Sequence, residues 1–384
     1  MTLCPEPSHT KPTIGLVSTF PPTQCGLATF SAPLVAELRR AGTAVEVVRV
    51  LDTPESVPAE PRVHTMVNGS HTSLVNALEI LNATDVVIVQ HEYGIYGGPD
   101  GVEVMHLLDA LTVPSIVVLH TVLENPTRRQ RHILLALIRT ADMAVTMTHA
   151  ARRRLIEGYG VDPARVQTIP HGARRHDVPA GGCGTHGSRP LIVTWGLLGP
   201  GKGIEWAIDA MPALRDLRPR YLVVGKTHPK VLERDGEAYR AMLEARALAQ
   251  GVSGIVEFDN SYVGTSELAT LVAHADVVLL PYDSTDQVTS GVLIEAVAAG
   301  RPVVSTKFPH ATELLGGGAG IVIAPRDPEA IATAVRRVLT DRALADDMAR
   351  IAMGSAPELF WDAVAARYQD LVGSIHSARM PARA

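Results

Sequence analysis

Aromatic residues are scarce in this 384-residue chain, at 4%. So few rings leave little material for base-stacking platforms or an aromatic carbohydrate-binding surface. Cysteine is scarcer still. Cys4, Cys25 and Cys183 make no CxxC pair and no even framework, which reads as free thiols in a reducing compartment. Neither sign of charge dominates: 35 Lys and Arg stand against 40 Asp and Glu, a net charge of −5, and nothing there asks for nucleic acid. No apolar run approaches the length that spans a bilayer. The start of the chain lacks a basic segment followed by an apolar one, so no signal peptide is expected and the expected location is cytoplasmic. A GxGxxG fingerprint and P-loop spacing are both missing. What is present is a globular composition, 46% hydrophobic and 20% charged, at a length that favours two domains over one core.

The most informative stretch runs from 277 to 302. Val277–Leu280 is an apolar run stopped by Pro281, as a buried parallel strand reads. A polar loop leads to a helical pattern opening at Gly291, with Val292, Leu293, Ala296, Val297 and Ala299 apolar. Gly300 is a C-cap, and Pro302 leads into a second apolar run, Val303–Val304. Thr289, Ser290 and Gly291 stand where the first free N–H groups of that helix point out, a place suited to an anion. Glu295 lies one turn further along the same face. Its carboxylate would repel phosphate but suits a pair of hydroxyls. The pattern fits a nucleotide, with diphosphate on the helix tip and ribose on Glu295. An ordinary βαβ unit with an exposed Glu fits the spacing equally well.

Glu295 and the run EAVAAGRPVV resemble the signature of retaining glycosyltransferases of the GT-B fold, family 4 (group 1). That signature has a second Glu eight residues earlier, where this chain has Gln287. The family's Glu approaches the donor sugar, so the resemblance places Gln287 at the reaction centre, with hydrogen-bonding capacity but no charge. Val166–Ala173, VQTIPHGA, resembles the segment that closes the family's first domain. Gly196–Gly203 resembles its glycine-rich phosphate loop, with Lys202 as a phosphate contact and Leu197 where the family has Arg. The implied fold is α/β: two doubly wound Rossmann-like domains facing a central cleft. The expected division is a first domain over 1–175, a Gly-rich linker over 176–190, a nucleotide-sugar domain over 191–356, and a final helix over 357–384 that returns to the first domain.

Further candidates follow the chain. Residues 1–11 read as a loose leader. Ile14–Val17 is a first strand, followed by a loop with Pro21, Pro22 and Gly26 and a helix from about Ser31. The resemblance brings this loop toward the donor at Gly26; a glycine that merely lets the turn form is the alternative. Asp85–Gln90 is a strand ending at His91, Glu92 and Tyr93, where α/β folds keep ligand groups. These three are candidate acceptor contacts, or else a polar rim. Ser115–Leu119 ends at His120, which the resemblance sets beside the transferring sugar; alone it could equally be structural. The histidines lack the company to argue for a metal. Arg128, Arg129, Arg131, His132 and Arg139, and then Arg152–Arg154, are basic runs. Such runs are ordinarily solvated helix faces; an anionic membrane surface or a phosphorylated acceptor is the alternative. In the second half, Lys226 follows a strand over Tyr221–Gly225 as a second cation. Asn260 follows a strand over Ile255–Phe258, where the family places the nucleobase.

The resemblance implies transfer of a hexose, mannose favoured, from a GDP- or UDP-sugar to a hydroxyl acceptor, glycan or lipid-linked, with retention. Donor contacts would come from Gly26, Lys202, Lys226, Asn260, Thr289, Ser290, Gly291, Val292 and Glu295. Catalysis would fall to His120, Lys202 and Gln287, with no cofactor and no metal. The competing readings are a phosphorylase or a sugar-nucleotide epimerase of the same fold, and a non-catalytic nucleotide-sugar-binding subunit.

Overall fold

The computed structural model describes residues 11–54, 60–175, 189–261, 263–284 and 287–379. Cys4, Cys183, most of the leader and nearly all of the expected linker lie outside them. The chain forms two compact units, Met1–Pro170 with Trp361–Ala384, and His171–Phe360. The divisions therefore fall at Pro170 and Phe360, where the sequence suggested 175 and 356.

The first unit is built on a seven-stranded parallel sheet: β1 Ile14–Ser18, β2 Val45–Leu51, β3 Val63–Val67, β4 Val86–His91, β5 Ser115–Leu119, β6 Met143–Thr146 and β7 Val166–Thr168. Their order is β3-β2-β1-β4-β5-β6-β7. The second unit holds β8 Leu191–Trp195, β9 Arg220–Val224, β10 Val256–Asp259, β11 Val277–Leu280, β12 Val303–Thr306 and β13 Gly320–Ile323, ordered β10-β9-β8-β11-β12-β13. Both sheets are doubly wound. Each reverses direction beside its first strand, between β1 and β4 and between β8 and β11, and ligands of such sheets bind at the carboxyl ends of those strands.

Central strands are buried on both faces, so their sequences are unbroken apolar runs; all of β1 and β11 is inaccessible to solvent. An aspartate just before the returning strand ties each sheet's start. Asp85 accepts from the backbone N–H of Thr13 at 2.7 Å, and Asp276 accepts from that of Leu191 at 2.7 Å. The strands at the sheet margins, β3, β7 and β13, were not expected from sequence. They are short and only partly buried, which dilutes the apolar signal.

Two helix boundaries differ from expectation. The first helix is Gly26–Arg40, capped by Cys25, whose Sγ accepts from Ala28 N at 3.4 Å. A cysteine cap is outside the usual Ser, Thr, Asp and Asn set, which hid the start. The expected final helix is broken at Phe360, which is extended at φ −69° and ψ 146°. Pro357 belongs to the helix Arg342–Leu359, and Trp361–Arg379 is a separate helix of the first unit. There Trp361, Val364, Ala365 and Tyr368 pack with Phe30, Leu34 and Leu38. Among the described residues, no helix is long and apolar enough to cross a membrane.

Candidate functional site

In the second unit the loops after β8, β9 and β11 interlock at the carboxyl edge of the sheet. Leu198 N donates to Lys226 O at 2.8 Å, His228 N to Leu198 O at 2.8 Å, and Asp283 N to Gly201 O at 3.0 Å. Two glycines make this approach possible. Gly203 sits at φ +64°, and a Cβ there would lie 1.8 Å from the carbonyl oxygen of Pro281; Gly225 sits at φ +139°, with the same atom 1.9 Å from Gly196 O. The interlock delivers Lys202, whose Nζ lies 4.5 Å from the centroid of the Tyr282 ring. Tyr282 in turn stacks on Phe308 at 5.5 Å. Leu197, where the resemblance puts an Arg, carries no charge, and Lys226 is exposed.

The helix Gly291–Ala298 opens at the end of the loop after β11. Ser290 caps it, its Oγ accepting from Leu293 N at 3.3 Å. That satisfies the third helical N–H and leaves those of Gly291 and Val292 with no protein acceptor among the described residues. Thr289 Oγ1, beside them, is buried without a partner. Gln287 braces the loop, its Nε2 donating to Thr289 O at 2.9 Å. A Glu could not make that bond, which gives the departure from the family signature a structural reason. Glu295 is half-buried one turn on, its Oε2 accepting from Arg174 N at 3.4 Å.

Two histidines that sequence reasoning missed flank this tip. His310 Nδ1 accepts from Ser290 N at 2.8 Å, so its proton sits on Nε2. Burial, and then the nearby His171, pull its pKa down to about 3. His171 donates from Nδ1 to Gly172 O at 2.7 Å. Burial lowers its pKa, against the bond to Gly172 and the charge of Glu295. A Cβ on Gly291 would stand 2.9 Å from His171 Nε2, so a glycine at 291 gives the ring its place. Both carried a signal: His310 follows a strand as His91 and His120 do, and His171 stands inside the segment 166–173. Arg240 carried none. It is 5% exposed and links Gly225 O, at 2.7 Å, to the side-chain oxygen of Asn260, whose side chain is thereby held at the end of β10.

In the first unit, β4 and β5 run side by side, with His91 level with Leu119. His120 is partly exposed; its Nε2 meets Gln90 Oε1 at 2.7 Å and its ring meets the Phe30 edge at 4.9 Å. Glu92 accepts from Thr121 Oγ1 and from Tyr93 N. Tyr93 OH donates to Gln130 O at 3.3 Å, and burial raises its pKa. His91 corrects an expectation. As a candidate acceptor contact or part of a polar rim it should be accessible, but strand alternation turns it to the opposite face from Gln90, and the structure buries it completely. Neither ring nitrogen has a partner, and burial pulls its pKa down to about 3. Gly26 is the exposed first residue of its helix rather than the tight point of a loop, and a Cβ there would meet nothing within 4 Å. Of the basic runs, Arg131, Arg152 and Arg154 donate to backbone carbonyls, of Gly158, Val166 and Val122 respectively.

Residues 25–175 match the model of Glycosyltransferase Family 4, and residues 189–341 match that of Glycosyl transferases group 1. Glycogen synthase of Mycobacterium tuberculosis is 32% identical over 235 residues, 60% of this chain and 53% of that protein. The GDP-mannose-dependent alpha-(1-6)-phosphatidylinositol monomannoside mannosyltransferase of the same species is 30% identical over 207 residues, 50% of each. The chain thus spans about half the length of the curated relatives it matches. Among solved structures, Anabaena Alr3699/HepE in complex with UDP and glucose superposes with a TM-score of 0.75 at 15% identity, covering 94% of this chain and 100% of that one. Its sequence matches and its two doubly wound sheets make this chain a member of the family 4 (group 1) glycosyltransferases, with the GT-B fold.

Proposed function

We propose that the protein is a retaining glycosyltransferase that moves a hexose from a nucleotide-diphosphate sugar to a hydroxyl acceptor, glycan or lipid-linked, in the cytoplasm. The observation that carries this is the tip of the helix Gly291–Ala298, where two N–H groups lack protein acceptors among the described residues one turn ahead of Glu295. Free donors at a helix N-terminus suit a diphosphate, and a carboxylate one turn on suits the ribose hydroxyls. Asn260, held by Arg240, is assigned to the base.

As the bond from the anomeric carbon to phosphate breaks, negative charge grows on the departing diphosphate. Lys202, supported by the exposed Lys226, and the helix tip balance that charge, so the reading calls for no metal. The leaving phosphate takes the acceptor proton while the acceptor oxygen bonds to the anomeric carbon from the same face. Gln287 and His120 are assigned to the transferring sugar, and Glu92 and Tyr93 to the acceptor. GDP-mannose is the favoured donor, in keeping with the mannosyltransferase relative; UDP-glucose is the competing one, in keeping with the Anabaena complex.

Incubation with labelled GDP-mannose and UDP-glucose tests this, with and without EDTA. Transfer that EDTA leaves intact is expected; phosphorolysis, epimerisation or binding alone would replace the reading. Lys202→Ala should lower kcat more than it raises the donor KM, because its partner is the charge that develops in the transition state. A change in KM alone would reduce Lys202 to a ground-state anchor.

A further inference from the structure

The first unit contains a buried cation with no counter-charge among the described residues. Arg49, in β2, is 3% exposed. Its Nη1 donates to Pro21 O at 3.3 Å, and its Nε is buried without a partner. No carboxylate among the described residues lies within ion-pair distance of it. A guanidinium taken out of water in this way is costly unless an anion completes the site.

Its neighbours point the same way. Arg49 is level with Ser18 of β1, and Val17 is level with Val89 of β4, which sets Gln90 opposite Ser18. Arg49, Ser18 and Gln90 therefore share one face of the sheet, across about 10 Å at the usual strand spacing. Gln90 is fully buried; its oxygen is committed to His120, and its Nε2 has no partner. Ser18 pairs with Ser31 of the helix Gly26–Arg40, whose first turn carries no acidic residue. The row thus has surplus donors, one of them charged, beneath a loop whose Pro21 and Pro22 are exposed. A sugar hydroxyl could accept one bond but would leave the charge unanswered. An acceptor-only anion answers both.

We propose that this row binds an anionic group of the acceptor substrate, a phosphate or a carboxylate, with Arg49 as its principal partner. Naming the ligand an acceptor rests on the glycosyltransferase reading; the anion site does not.

The test is calorimetric titration of inorganic phosphate and, separately, glucuronate into the protein saturated with UDP or GDP, so that the second unit's helix tip is occupied. Arg49→Met should weaken whichever anion binds by about ten- to a hundredfold, the usual range for a charge-assisted bond, and Arg49→Lys should weaken it less. Arg49→Met should also melt no lower than wild type without anion, since it removes an uncompensated charge. If Arg49 only straps down the Pro21 carbonyl, Arg49→Met melts lower and Arg49→Lys binds both anions as wild type does, which would overturn the proposal. Failure of wild type to bind either anion would overturn it as well. Failure to bind either nucleotide would count against the donor reading alone, and the anion titrations would then be read without nucleotide.

Discussion

His91 and His310 are buried imidazoles held neutral, and each ties stability to pH with a definite sign. Their folded pKa values are about 3, below the unfolded value of 6.5. As pH falls below about 6.5 the unfolded chain takes up protons that the folded one refuses. The stability each confers is complete above that pH and is lost on the way down to about 3. The slope is about 1.4 kcal/mol per pH unit for each group. His91→Leu, which has no ring nitrogen to leave unpaired, should flatten the acid limb of urea-measured stability by about that slope between pH 6.5 and 4. An unchanged limb would mean that His91 is hydrated and titrates normally. The site was unevenly legible at this scale. Gly291 and Glu295 are four residues apart, so helical spacing alone put them on one face. His171 reaches Gly291, and His310 reaches Ser290, only through the fold, and no local pattern could join them.

At the scale of elements, the loops after β8, β9 and β11 depend on backbone approaches that exclude a side chain. Gly203→Ala forces a Cβ into the carbonyl of Pro281 at a positive φ. It should cost about 1–3 kcal/mol or more in urea denaturation, because backbone rather than a flexible side chain must give way. It should also displace Lys202, which directly precedes it, and so weaken donor binding. A variant with wild-type midpoint and affinity would show that the interlocking loops are looser than described. Central strands such as β1, β4 and β11 were legible because burial on both faces makes them continuous apolar runs. The marginal strands β3 and β13 are only partly buried, and the helix start at Gly26 depends on an unusual cysteine cap; these took the structure to find.

At the scale of the whole molecule, the same plan appears twice. Each unit reverses its strand order beside its first strand, and each ties its start with an aspartate before the returning strand. In the second unit the carboxyl edge beside that reversal carries Lys202, Gln287 and the helix tip; in the first it carries Gln90, Glu92 and His120. Division into two such units followed from length and the repeated strand–helix alternation, while the return of Trp361–Arg379 to the first unit followed from the family resemblance. We propose that the second unit holds a nucleoside diphosphate on the helix tip, with its ribose on Glu295. Calorimetric titration of UDP and GDP into wild type and Glu295→Ala tests it most directly. The expected result is one site on wild type for at least one of the two, and an affinity about ten- to a hundredfold lower in a variant that melts like wild type. Equal affinity in the two proteins, or no binding of either nucleotide to wild type, would contradict it.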